Sequence, residues 1–205
     1  MKQNKSFMYI ASFLALTIPS PGRFVYGLTI IIELFLLEIL GILFNSLVTK
    51  LKLNEIRTYF VMFCLIAVTI LYRQILVFTY TELALTLGFI LYLPTVSVFL
   101  THTIFSDIED KLSEKIKTNL IRTSIFSFSI LIFFLFRDFA GYGTFTFFGK
   151  SHRIYEKVLL NPEKIGIFTF FASIAGALVL TGLSIYLFLF VRNKMRIISN
   201  RGGTK

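Results

Sequence analysis

The chain has 205 residues, 56% of them hydrophobic and only 16% charged, with a mean hydropathy of +0.78. A soluble domain of this size carries about a quarter charged residues, so the composition excludes one and points to lipid as the main solvent. Lys and Arg outnumber Asp and Glu by 21 to 11, but the excess lies in loops and at the ends of apolar runs, the pattern of a membrane protein and not of a nucleic-acid binder.

In chain order, Lys2 and Lys5 precede a short apolar segment, Phe7 to Ile18, that ends at the sequence PSPGR. Its form is that of a secretory signal. No small-x-small cleavage site precedes the prolines, however, and further apolar runs follow, so a short or interrupted membrane helix is the better reading. The second run, Phe24 to Thr49, is long enough to cross a bilayer with tilt and contains Glu33 and Glu38. Five residues at about 100° each put these two carboxylates well apart around a helix, so each needs its own partner or a proton. A basic loop from Lys50 to Arg57 leads to the third run, Tyr59 to about Tyr80, with Arg73 and Gln74 inside it. Counted inward from the loop at about 1.5 Å per residue, Glu38 and Arg73 reach similar depths, which predicts an Arg73–Glu38 ion pair with Glu33 as the substitute partner. Such a pair serves either helix register or ion handling.

The fourth run, Leu83 to Phe105, contains Pro94 among Thr95, Ser97, Thr101, His102 and Thr103. Proline removes a backbone donor, which predicts a helix break at Pro94 of the kind that marks sites in ion-handling proteins. Lone His102 has no second ligand at metal spacing, and His152 belongs to a loop, so no metal site is expected. A mixed-charge connection, Ser106 to Thr118, has apolar residues every fourth position and reads as a short surface helix. The fifth run stops at adjacent opposite charges, Arg137 and Asp138, placed near the headgroups, and a glycine-spaced turn follows. Tyr142 to Lys164 alternates aromatics with charges and suits the membrane interface. The last run, Ile165 to Val191, is rich in Gly, Ala and Ser, which let helices approach closely, and a basic tail occupies 192–205. Cys64 is the only cysteine and lies in an apolar run, where it acts as a small hydrophobe.

These runs predict an all-α integral membrane domain of six transmembrane helices, the first and fourth short or broken. They divide into two three-helix repeats, about 7–80 and about 83–191. Because three is odd, the second repeat runs inverted. Positive-inside bias puts both termini, the Lys50 loop and the Lys111 loop in the cytoplasm, with the protein multi-pass in the inner membrane.

RDFAGYGTF, from Arg137 to Phe145, resembles a signature of the small polytopic subunits of Rnf and sodium-translocating NADH:quinone reductase (Nqr) complexes. GFILYLP, Gly88 to Pro94, is similar to that family's segment before its fourth-helix site, and GALVLTG, Gly176 to Gly182, to the start of its last helix. The resemblance implies an inverted-repeat fold, assembly with a homologous subunit of opposite orientation, and a two-iron, two-sulfur cluster held by cysteines from the broken first and fourth helices. Arg137, Asp138, Gly141, Gly143 and Thr144 carry over as the family's turn, with Arg137 free to pair with Asp138 or the interface. The ligand cysteines are missing here, so no cofactor is expected. What remains is an assembly or ion-path subunit, at most non-catalytic within a membrane oxidoreductase. The alternatives are a small secondary transporter component using Glu33, Glu38 and Arg73, or a structural membrane scaffold. No phosphate loop, nucleophile elbow or HExxH motif is present.

Overall fold

Helix-forming aliphatic runs without internal proline become the long helices of a computed structural model that describes residues 5–53, 55–101, 112–150, 153–160 and 168–202. In order these are α1 (Lys5–Thr17), α2 (Phe24–Lys50), α3 (Arg57–Thr79), α4 (Thr81–Leu87), a 3-10 turn (Gly88–Tyr92), α5 (Leu93–Thr101), α6 (Leu112–Tyr142), strands β1 (Thr144–Phe148) and β2 (Ile154–Val158), a second 3-10 turn (Phe168–Ala172) and α7 (Ile174–Gly202). Among the described residues, four helical stretches are long and apolar enough to cross a membrane: Phe24–Lys50, Arg57–Thr79, Thr81–Phe99 and Leu112–Tyr142. Met8–Thr17 and Ile174–Leu187 are shorter apolar helices. Large apolar side chains point outward all round, Phe78 83% exposed and Phe89 77% exposed, a surface that calls for lipid.

The axis of the bundle is α2, apolar on nearly every face and therefore placed inside. It packs antiparallel to α6, as the pairs Phe24/Asp138 and Gly27/Phe134 show. It also runs antiparallel to α3, where the Tyr72 hydroxyl donates to the Thr29 carbonyl at 2.9 Å and Arg57 donates to Asn45. On the far side α1 packs against α5, and there Ser12 Oγ donates to the Ser97 carbonyl at 3.4 Å. In lipid, apolar burial between helices is driven by packing, not by release of water, so close approach matters more than area. Gly27 provides it: a Cβ there would lie 2.6 Å from the Phe134 ring.

Three features depart from the sequence reading. The fourth run does break, but at the 3-10 turn that opens with Gly88 at φ 43°, while Pro94 sits in the first turn of α5. A proline in the first turn loses no helical hydrogen bond, whereas the left-handed backbone at Gly88 strains any residue with a Cβ. The architecture is also not purely helical. After Gly143 at φ 65° the chain forms an antiparallel β1–β2 hairpin, with Thr144 opposite Val158 and Phe148 opposite Ile154. The alternation of aromatic and polar residues assigned to the interface has the period of a strand. Finally, the last long helix begins at Ile174 and not at Ile165. His102, His152, Lys111 and the first six residues of the Ser106–Thr118 connection lie outside the described residues, while Leu112 to Thr118 form no separate surface helix but the first turns of α6.

Candidate functional site

Arg137 and Asp138, expected near the headgroups, are both 0% exposed. They do not pair with each other. All five N–H groups of a guanidinium find backbone carbonyls around Arg137. Nη1 donates to Thr17 O at 2.9 Å and Ser20 O at 2.8 Å, Nε to Phe171 O at 3.3 Å, and Nη2 to Ala172 O at 3.1 Å and Ser173 O at 3.4 Å. The cation thus closes the carboxyl end of α1 and holds the turn before α7, where helix ends expose acceptors and favour positive charge.

Asp138 does the complementary work one residue on. Helix α2 has no side-chain cap of its own at Arg23. Instead Asp138 Oδ2 accepts the Phe24 N–H at 3.0 Å, the Thr146 N–H at 2.9 Å and the Thr146 hydroxyl at 2.7 Å, while Oδ1 accepts the Thr144 hydroxyl at 2.9 Å. Thr146 in turn accepts the Val25 N–H at 3.2 Å. A carboxylate at a helix amino end satisfies orphan donors and opposes the dipole. Gly141 lets the α6 end lie against the second 3-10 turn, since a Cβ there would be 2.9 Å from Ala172. The signature therefore forms a structural junction: its two charges join the end of α1 to the start of α2.

The carboxylates of α2 occupy two separate settings, as their spacing requires. Glu33 is 0% exposed and faces α3. Thr69 stands beside its carboxyl, and Tyr72 lies within range of its charge. The Thr69 hydroxyl is 2.8 Å from that of Thr95, and neither Glu33 oxygen has a hydrogen-bond partner among the described residues. Glu38 is 1% exposed and faces the opposite side. It borders a cavity of about 10 Å³ with Tyr9, Ser97, Thr123 and Phe126, room for about one water molecule. Buried Asn119, Thr123 and Ser127 continue this seam along α6. Their four-residue spacing, which keeps them on one helical face, was the signal that could have revealed them from sequence.

Arg73 joins neither carboxylate. It is exposed on the outer face of α3, and the ion pair found among the described residues is Arg23–Glu156 at 3.1 Å. Equal depth brought Arg73 and the glutamates to one level, but the helical phase of α3 turns Tyr72 and Thr69 inward and Arg73 outward.

Comparison with protein-family models, curated sequences and solved structures finds no match to this chain.

The cluster implied by the Rnf/Nqr resemblance needs thiolates. Where α1 meets α5, the hydrogen-bonded residues are Ser12 and Ser97, and Cys64 lies half-buried on α3. These residues do not fit such a cluster, and no electron-transfer step is derived through it.

Proposed function

We propose that this chain is an integral membrane subunit of an ion-motive complex of the Rnf/Nqr kind, serving assembly and a polar ion path in place of an iron-sulfur centre of its own. The observation that carries this reading is the buried polar seam of Glu38, Ser97, Thr123, Ser127 and Asn119 running between α2, α5 and α6. Buried polarity is costly in a membrane core and persists where it handles a solute or a charge. Packing of α1 against the broken α4–α5 unit and of α2 against α6 supports an arrangement of six crossings in two inverted triplets. In that arrangement both termini are cytoplasmic in the inner membrane, and the expected partner is a homologous subunit of opposite orientation.

Purification from native membranes in mild detergent tests the proposal. The expected result is co-purification with flavin- and iron-sulfur-bearing subunits, the iron belonging to the partners. A chain that purifies alone from intact membranes overturns it. The cavity beside Glu38 favours a second reading, a small carrier component. On that reading the purified chain in vesicles supports solute flux without any partner, and Glu38→Gln abolishes it with the protein still folded.

A further inference from the structure

A buried carboxylate demands an explanation when no positive charge answers it among the described residues. Glu33 is completely enclosed, and both of its oxygens lack hydrogen-bond partners among the described residues. Its surroundings are nevertheless rich in oxygen. Thr69 is beside it, Thr95 lies 2.8 Å beyond on the first turn of α5, and Tyr72 and Thr29 are joined by a hydrogen bond of 2.9 Å. Thr29, Thr69, Tyr72 and Thr95 are all buried. The α5 turn that carries Thr95 follows the 3-10 break at Gly88–Tyr92, and interrupted helices of this kind place backbone and hydroxyl oxygens around ions within membranes.

The geometry points to a monovalent-cation site centred on the Glu33 carboxylate, with the Thr69 and Thr95 hydroxyls as neutral oxygen ligands. Charge balance selects the valence. One carboxylate neutralises one positive charge, whereas a divalent ion would leave a net charge enclosed in a medium that solvates it poorly. Chemistry selects the class, because carboxylate and hydroxyl oxygens suit hard cations. A proton is the competing occupant, since it too would remove the charge, with the Thr69 hydroxyl beside the carboxyl to accept the O–H. This site deepens the ion-path reading and lies on the opposite side of α2 from the Glu38 seam.

The test uses the full chain purified in detergent, with sodium, lithium, potassium or choline chloride at constant ionic strength. The site predicts a saturable rise in Tm with at least one alkali cation over choline. It also predicts that the same cation slows modification of Glu33 by a hydrophobic carbodiimide about tenfold, a protection that corresponds to occupancy near 90%. Thr69→Val, which removes a hydroxyl ligand and keeps the carboxylate, should weaken the cation response at least several-fold. Glu33→Gln should abolish it. If neither variant folds, the wild-type titration still decides. A Tm identical in all four salts overturns the site, and so does carbodiimide reaction at Glu33 that no cation slows, which marks a proton as the occupant. Either result leaves the subunit proposal standing, because that depends on co-purification. Conversely, a chain that purifies alone but responds to a cation keeps the site and loses the complex.

Discussion

At the scale of single residues, Arg137 shows how a charge is accommodated away from water without a salt bridge. Five donors meet five carbonyls, so the group is replaceable only by something with the same number of donors in the same plane. Lysine has three. Arg137→Lys therefore leaves at least two enclosed carbonyls without a donor, and we expect a loss of roughly 2–5 kcal/mol, measured as a fall in Tm and in yield from detergent extraction. Asp138→Leu strands the Phe24 and Thr146 N–H groups, at a cost of about 2–6 kcal/mol for two buried donors left unmade. Asp138→Asn keeps one acceptor oxygen and is expected to be milder, so the order Leu below Asn below wild type in Tm checks the capping role. Arg73 gives the opposite expectation. With its side chain outside the bundle and no ion pair among the described residues, Arg73→Leu should change stability by no more than about 0.5 kcal/mol, read as a nearly unchanged Tm. A large drop would revive the intramembrane pair.

Individual helices and strands follow from local chemistry to differing degrees. The aliphatic runs of α2 and α3 have no competing local structure, so they were legible in the sequence to within a few residues, whereas α6 starts at Leu112 and takes in the end of the mixed-charge connection. The break in the fourth run was legible too, but its position was not. Proline signals where a hydrogen bond is missing, yet the bend lies where a residue can enter the left-handed region, and that residue is Gly88. The hairpin was missed because TFTFF and IYEKV are short and half-aromatic, a composition shared by strands and membrane-interface segments. Thr144 and Thr146 turn inward to Asp138, and that contact pins the first strand to the helical body. The α2–α6 contact makes its own prediction. Gly27→Ala drives a methyl to within 2.6 Å of Phe134, and the resulting overpacking should cost about 1–3 kcal/mol, read as a lower Tm with the helical content retained.

Across the whole molecule, antiparallel packing of α2 with α3 and α6 places the Lys50 loop and the start of α6 at one end of the bundle, and Arg137 with the hairpin at the other. Cysteines introduced at Lys52 and at Lys150 in a Cys64→Ala background should therefore react with a membrane-impermeant maleimide from opposite sides of sealed vesicles. Labelling of both from one side would contradict the threading of α2 and α3 through the bilayer. The apolar content and the lengths of the runs decide that the chain dissolves in lipid as helices, because backbone polar groups in hydrocarbon must be satisfied within each segment. Depth along a helix is likewise a matter of counting residues. Which face of each helix turns inward is a matter of packing, and packing put Tyr72 and not Arg73 toward α2. It also gave the two glutamates separate surroundings and turned an adjacent pair of opposite charges into caps for two different helices. Such pairings join residues more than a hundred positions apart, and neither spacing nor composition encodes them, since any one helix is equally apolar on several faces until its neighbours are in place.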